Sequence, residues 1–422
     1  MRARATSSQS LGGGREVRPT ESVKRYRAAL DARTRLGQIL TPQPMADAVV
    51  RLLGAHGGDW LELGSGSGRL AQAVHSAVEP ASYVGVEIEQ AMIDASPQLR
   101  GVHYLKRDVL SVSGLGKALG DAQFDHVIGN PPYGIHDLPD RARKRLMAFC
   151  PDLDIQHAWA PIDLYFVMES LARLKPAGSA AFIVGADIPC AIQSQPFRKQ
   201  LMESASTVEC YELPRFAFGW QVEVQAYVLV IRFGHKRLRH VTLGQLDNEF
   251  AVISQRRIGA AQAVESMDSR HHAFEDMDST LRRAKGSVTM RDLEVSIVRG
   301  SRTRTQFAQL GVQHFHTSDF PKSGLEIAFE GSPLSGYQHA MAGDILLPRV
   351  GTRCIDRKAV VVRGESPYSD SVFRVRAPAE HQERVVRWIT STECSDWRRG
   401  AARGACAKHL TVAKLLDMPV PA

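Results

Sequence analysis

Between about residue 40 and residue 235 the chain alternates short apolar runs with stretches whose apolar positions recur at helical spacing. Strands and helices taken in turn produce that alternation, as in an open α/β sheet. The runs at 59–63, 83–86, 102–105 and 124–128 read as buried strands. Met45, Val49 and Leu52 recur at helical spacing over 45–53, and Thr41-Pro42 ahead of them predicts a capped start with proline at the first position. A second helix is expected over 70–78. A third begins at Asp163 and ends in the Lys175-Pro176-Ala177-Gly178 turn, before a strand over 180–184. Residues 222–233 alternate and then run apolar, as a hairpin completing the sheet would. Ahead of all these, residues 21–35 are basic and helix-like.

Past about His240 the pattern changes. Residues 247–285 are polar and helix-biased and read as a connector; from about Ser287 short β-like runs return, at 293–298, 344–350, 359–362 and 371–375. The implied organisation is a disordered tail over 1–20, a first domain over 21–240, a connector over 241–285 and a mainly β domain over 286–422. A chain of 422 residues, 44% of them hydrophobic, can bury more than one core. Its formal net charge of +8 favours a polyanionic partner, and the basic residues interleaved with the late β-runs, Arg349 and Arg353 among them, point to nucleic acid. No apolar run approaches the roughly 20 residues of a membrane helix, so no membrane partner is expected. Six scattered cysteines without CxxC spacing predict neither a metal site nor a disulfide framework, which makes a reducing cytoplasm the default.

Candidate chemistry concentrates at the ends of the first four runs. Asp59 to Leu63 leads into Gly64-Ser65-Gly66-Ser67-Gly68, whose alternate glycines let the backbone turn sharply and approach a ligand. The spacing is not that of a dinucleotide fingerprint, since Arg69 stands where the third glycine would fall. A carboxylate just before the loop, Glu62, would repel a pyrophosphate and attract a cationic amine, which favours S-adenosylmethionine over NAD. Glu87, at the end of the second run, is placed to accept ribose hydroxyls, with Ile88 against the adenine face and Asp108 an acceptor for its amine. The fourth run delivers Asn130-Pro131-Pro132-Tyr133. Two prolines forbid the strand from continuing and remove two N–H donors, leaving the Asn130 amide and nearby carbonyls as acceptors beside an aromatic ring. That arrangement suits adenine, cytosine or a glutamine amide without separating them. After it, a long connection over 134–161 carries Arg141, Arg143, Lys144 and Arg145, placed to hold a phosphate backbone, although such a run is also an ordinary solvated face.

Assembled in this order, the residues resemble the TaqI-type (γ-class) DNA adenine-N6 methyltransferases of restriction-modification systems. The likeness runs from Gly37–Pro42 through Glu62–Gly68, Glu87, Asp108, Asn130–Tyr133 and Leu164-Tyr165. It continues into His316–Phe320, Gly343–Gly351 and the phrases Ala407–Thr411 and Pro419–Pro421, which resemble specificity domains. It implies a Rossmann-like S-adenosylmethionine-dependent methyltransferase domain followed by a mainly β target-recognition domain. Implied cofactor contacts are Thr41, Glu62, Gly64, Gly66, Gly68, Glu87, Ile88, Asp108 and Asn130. Implied catalytic residues are Asn130, Pro131, Pro132 and Tyr133, which hold and stack a flipped-out adenine, with Phe218, or else Phe216, on the base's other face. Implied DNA contacts are Arg141, Arg143, Lys144, Arg145 and Arg349. The enzyme is then adenine-specific and acts as a monomer on double-stranded DNA in a bacterial or archaeal cytoplasm, alongside a cognate restriction endonuclease. Met168 departs from the family pattern, which often has an aromatic residue there. Glutamine-N5 and ribosomal RNA methyltransferases share parts of the pattern, and a non-catalytic specificity subunit is the alternative from another class.

Overall fold

The computed structural model describes residues 39–155, 159–219, 224–330, 335–351, 354–402 and 409–422. The expected tail over 1–20 and helix over 21–35, together with Gly37, Gln38, Trp220, Arg353, Ala407 and Lys408, lie outside the described residues. The first body is built on one sheet. Its strands are β1 (Asp59–Leu63), β2 (Ser82–Glu87), β3 (Val102–Lys106) and β4 (Phe124–Gly129). A two-stranded hairpin, β5 (Ile135–Asp137) with β6 (Trp159–Pro161), stands outside it, and the sheet resumes with β7 (Leu174–Gly185), β8 (Thr207–Glu212), β9 (Ala226–Arg232), β10 (His240–Leu246) and β11 (Val252–Gly259). The strand order is β11-β10-β8-β9-β7-β4-β1-β2-β3. β3, β2, β1, β4 and β7 run parallel, whereas β9 is antiparallel to both its neighbours.

Helices cover both faces, so the central strands are apolar on both sides and read as continuous runs. Alternate residues of each strand feed two separate cores. On one face Trp60, Ile128, Ala181 and Val228 pack with Met45, Val49, Leu70 and Val74 from the helices Gln43–Leu53 and Arg69–Val78. On the other, Leu61, Leu63, Val127 and Leu229 pack with Leu146, Leu164, Val167 and Leu201 from the helices Asp140–Phe149, Ile162–Leu171 and Gln195–Ser204.

Three expectations are corrected. The first helix begins at Gln43 with Pro42 as its extended cap residue, and the Thr41 hydroxyl does not cap it. The helix from Ile162 stops at Leu171; Lys175 to Gly178 form no helix end but an irregularity within the long strand β7, where the pairing with β4 slips between Phe124 and His126. The segment 241–285 is more than a connector. It supplies β10 and β11 to the sheet and then the helix Ser269–Arg283. β11 escaped the hydrophobic pattern because it is an edge strand with both faces largely exposed, so its sequence does not alternate.

The second body carries β12 (Val288–Thr289), β13 (Ser296–Arg299), β14 (Glu326–Ala328), β15 (His339–Met341), β16 (Ile345–Pro348), β17 (Ala359–Arg363), β18 (Glu365–Pro367), β19 (Val372–Arg376) and β20 (Pro419–Val420). Five of these form the sheet β13-β19-β16-β17-β14. The helices Gln382–Thr390 and Thr392–Ala401 pack on it through Ile389 and Trp397. Phe274 of the helix Ser269–Arg283 lies edge-on to Trp397, whose indole donates to Asp278 at 2.7 Å, so this helix belongs to the second core. At its start Arg270 pairs with the buried Glu212 of β8 at 2.7 Å, tying that helix to the first body.

Arg198, 0% exposed, is a polar staple of the first body. Its guanidinium donates to the carbonyls of Ile188, Ala191, Val264 and Glu265 at 2.8–3.0 Å. Arg198→Leu leaves those carbonyls without their donors, and the expected loss is on the order of 3 kcal/mol. Urea unfolding of the variant measures it; a loss below about 1 kcal/mol refutes the staple.

Candidate active site

Because β3, β2, β1 and β4 are parallel neighbours, their carboxyl ends open at one edge, and each carries one of the polar residues singled out in the sequence. The glycine loop crosses this edge. Gly64 and Ser65 donate to the Val86 carbonyl, locking the loop to β2. Gly64 has φ +81° and a side chain there would lie 3.3 Å from the Phe166 ring; Gly68 has φ +72° and would meet the Tyr104 hydroxyl at 2.4 Å. Only glycine satisfies both conditions. The result is a cleft lined by the loop, by Ile39–Thr41, by Glu62, Glu87, Ile88 and Asp108, and by Asn130, Pro132 and Phe166.

Three acids stand around it in different states. Glu62 is 2% exposed and accepts the Tyr83 hydroxyl at 2.5 Å. Burial pushes its carboxyl up to about 8, against the pull of the Tyr83 hydrogen bond and with help from the charge of Glu87. Among the described residues it has no cationic partner, so a cation entering the cleft would restore its charge. Glu87 serves the loop first: one oxygen accepts the Gly66 N–H at 2.8 Å and the other the N–H groups of Ile88 and Glu89 at 2.8 and 3.0 Å. Of the roughly four acceptor positions of a carboxylate, three are taken, which leaves capacity for about one ligand hydroxyl. Asp108 is exposed at the rim and accepts the Leu110 N–H at 2.9 Å. Ile88 is 42% exposed beside it, an apolar platform. The Ser65 hydroxyl is buried at the cleft without a hydrogen-bond partner among the described residues.

The Asn130 amide is fixed from both ends. Its Nδ2 donates to the Ile39 carbonyl at 3.0 Å and to Thr41 Oγ1 at 2.9 Å, while its Oδ1 accepts the Tyr133 hydroxyl at 2.6 Å. Thr41 therefore meets Asn130 rather than a helix end. Tyr133 is only 1% exposed, and Phe218 packs edge-on against it with centroids 6.0 Å apart. The expected stacking ring is thus covered by the aromatic expected on the base's other face. Phe216 lies on the same loop, with the Arg215 guanidinium over its ring.

Sequence reasoning missed Phe166, Ile39 and Asp163. Asp163 is buried, accepts the N–H groups of Leu164 and Gly185 at 3.0 and 3.1 Å, and pins the end of β7 beside Tyr133. Burial, reinforced by the charge of Asp187, pushes its carboxyl up to about 7. Its signal was the Asp163-Leu164-Tyr165 start of the helix, where the acid reads as an ordinary first-turn residue. Tyr165 is buried behind the cleft wall, with its hydroxyl 3.5 Å from the carbonyl of Val109, which lines the cleft.

The basic run divides. Arg141 and Lys144 are exposed on the helix after the turn, and Arg143 pairs with Asp140 at 2.6 Å. Arg145 is turned inward: it clasps the buried Glu169, which Arg173 also holds, and lies over Phe149. Its guanidinium is therefore already engaged within the chain. Arg349 is engaged too, donating to the Asp370 carbonyl at 2.7 Å, and Arg299 pairs with the Asp370 carboxylate at 2.9 Å.

The family model described as N-6 DNA Methylase matches residues 25–300. Among solved structures, the type IIG restriction endonuclease BpuSI is similar over 94% of this chain and 60% of its own, with a TM-score of 0.53 and 12% identity. A type I restriction-modification system methyltransferase subunit from Streptococcus thermophilus matches 57% of this chain and 54% of its own (TM-score 0.42, 20% identity). A putative class I S-adenosylmethionine-dependent methyltransferase from Listeria monocytogenes matches 54% and 72% (TM-score 0.41, 16% identity). The chain thus spans about 60% of the length of BpuSI, and the likeness, at that identity, is one of fold. No curated protein is significantly similar in sequence.

Glu62 sets a pH dependence. Its folded-state value is raised from 4.5 to about 8, so its contribution to stability is complete below about 4.5 and is lost as pH rises through about 8. Glu62→Gln keeps the shape and removes the ionisation. Thermal unfolding of the ligand-free chain should therefore favour the variant increasingly from pH 5 to pH 9, whereas a constant gap between variant and parent refutes the assignment.

Proposed function

We propose a specific reaction for this chain, which belongs to the N-6 DNA methylase family: transfer of a methyl group from S-adenosylmethionine to N6 of an adenine flipped out of duplex DNA. The chain is a DNA methyltransferase and S-adenosylmethionine is its methyl donor. The cleft fits that donor on its own chemistry. Glu62 offers a buried carboxyl to a cationic amine, Glu87 and the unpartnered Ser65 hydroxyl offer contacts to polar groups, and Asp108 with Ile88 offers an acceptor beside an apolar platform. When bound, the cofactor supplies a methyl group made electrophilic by its sulfonium.

Everything else falls to the chain. An adenine inside a duplex cannot reach the cleft, and flipping costs a few kcal/mol. Once Phe218 moves off the Tyr133 ring it covers, the two rings bound a slot in which aromatic stacking, worth roughly 1–3 kcal/mol per base on the single-strand scale, offsets part of that cost. The Asn130 oxygen accepts one proton of the exocyclic amine on its remaining lone pair and the Pro131 carbonyl accepts the other. Together they turn the nitrogen lone pair away from the ring and towards the cleft. Orientation and electrostatic placement carry the step, and the alkylated nitrogen sheds one of its two protons to solvent. The observation that carries this reading is the Asn130 amide: with both N–H groups held by residues 39 and 41, its oxygen cannot flip out of position.

The order of elements, glycine loop before Asn-Pro-Pro-Tyr and a mainly β body after both, supports the γ-class assignment, and a monomer is the proposed state. Residues 286–422, together with the helix Ser269–Arg283, are the proposed target-recognition unit, with a restriction endonuclease as the proposed functional partner.

The test incubates the chain with methyl-labelled cofactor and mixed-sequence DNA and maps modified adenine in the product. Label found in protein or RNA but not DNA overturns the reading. Asn130→Ala should lower the transfer rate at saturating cofactor by about 10²–10³-fold, the scale of losing one pre-placed polar group. Tyr133→Phe, which keeps the ring and removes the hydroxyl that steadies Asn130, should cost about tenfold in rate at unchanged DNA affinity; a parental rate would show that the hydroxyl plays no part in orientation.

A further inference from the structure

At the end of the sheet opposite the catalytic turn lies a cationic surface that the proposed reaction does not use. β7 and β9 pair from Gly185 with Ala226, beside Tyr133, to Ser179 with Arg232, six residues away. At about 3.3 Å per residue the far end is roughly 20 Å from the cleft edge. There the loop after β9 carries Lys236, Arg237 and Arg239, with Lys199 and Arg257 on either side, around two shallow depressions that share Lys236 and Arg237. Against these five cations the lining contains one carboxylate, Glu203, a local excess of four in a chain of net charge +8. All five are exposed, and none of their side chains has an ion-pair or hydrogen-bond partner among the described residues. Arg232, next to them, shows the contrast: it is consumed by Glu209 and the carbonyls of Leu52 and Leu53.

The surface is built on fixed parts. Phe233 donates to the Gly178 carbonyl at 3.0 Å and Leu238 is buried, so Arg237 and Arg239 on either side of it are turned outward. The helix that carries Lys199 is stapled by Arg198 to Val264 and Glu265 at its border. Like charges held close without counter-ions repel one another in the folded state. A shallow, spread-out array suits a repeated anion along a polymer better than one small anion in a pocket.

We infer that this surface is a second, sequence-independent contact for the phosphodiester backbone of DNA. The inference rests on the reading that DNA is the substrate. A straight duplex lying across the cleft edge cannot also touch a surface some 20 Å behind it, so the bound backbone belongs to flanking DNA that bends around the first body, or to a second duplex.

The test compares the parent with the triple variant Lys236→Ala/Arg237→Ala/Arg239→Ala in binding a mixed-sequence duplex of about 60 base pairs, roughly 200 Å long at 3.4 Å per step. Neutralised phosphates set the slope of log affinity against log salt at about 0.9 per contact. Losing two or three contacts should flatten that slope by about 2 and weaken binding about tenfold or more at moderate salt, with an unchanged melting temperature and unchanged cofactor binding. Lys199→Ala with Arg257→Ala, placed on other elements, should shift the slope in the same direction, which keeps the test decisive if the triple variant folds poorly. Unchanged slopes in both variants overturn the inference. So does loss of poly-glutamate binding with unchanged DNA binding, which would assign the surface to an acidic protein. Methyl transfer by the parent is measured in parallel: absence of transfer to DNA counts against the enzymatic reading alone, because the binding slope decides the surface either way.

Discussion

The Asn130 carboxamide is the constraint on which the site depends. A primary amide at the end of a strand would ordinarily rotate, exchanging its donor and acceptor ends. Here both ends are occupied by parts of the chain far apart in sequence, the segment 39–41 on one side and the Tyr133 hydroxyl on the other. One side chain thereby ties the segment 39–41 at the cleft wall, the proline turn and the Tyr133 ring into one unit. The prolines contribute by removing the backbone donors that would otherwise compete for the acceptors.

Electrostatics follow from the same geometry. The strand ends bring three acids to one cleft, and burial sorts them: Glu62 loses its charge near neutrality, Glu87 gives most of its acceptor capacity to the glycine loop, and Asp108 stays in water. Glu87 is thus structural before it is functional. By holding the Gly66 N–H it sets the position of the loop, and a loop already in place does not have to be ordered by a ligand. Phe218 works in the opposite sense, since it packs edge-on against Tyr133 and covers that ring.

Charge along the molecule is sorted as well. Arg145, Arg173, Arg198 and Arg398 face inward and serve packing: the first two clasp Glu169, and the last two donate to backbone carbonyls. Among the described residues, exposed cations without ion-pair partners include Arg141 and Lys144 on the helix Asp140–Phe149 and Lys236, Arg237 and Arg239 on the loop after β9. Net charge alone could not distinguish these uses, because a guanidinium turned inward and one turned to solvent count the same in composition.

Periodicity and turn chemistry alone determined the early strands, the glycine loop, the proline turn and the acids at the strand ends, because each is a local choice made within a few residues. The family resemblance was legible for the same reason. Tertiary structure decided what those local signals could not express. β11 carries no hydrophobic alternation because it is an edge, and its place in the sheet comes from pairing with β10. Thr41 reads as a helix cap until Asn130, 89 residues away, proves to be its partner. Arg145 reads as a surface cation until Glu169 is seen beneath it, and Tyr133 as an open stacking face until Phe218 closes on it. In each case sequence supplied the chemical group and the fold supplied its partner, because hydrogen bonds and ion pairs act through space over a few ångströms, a distance that separation along the chain does not encode.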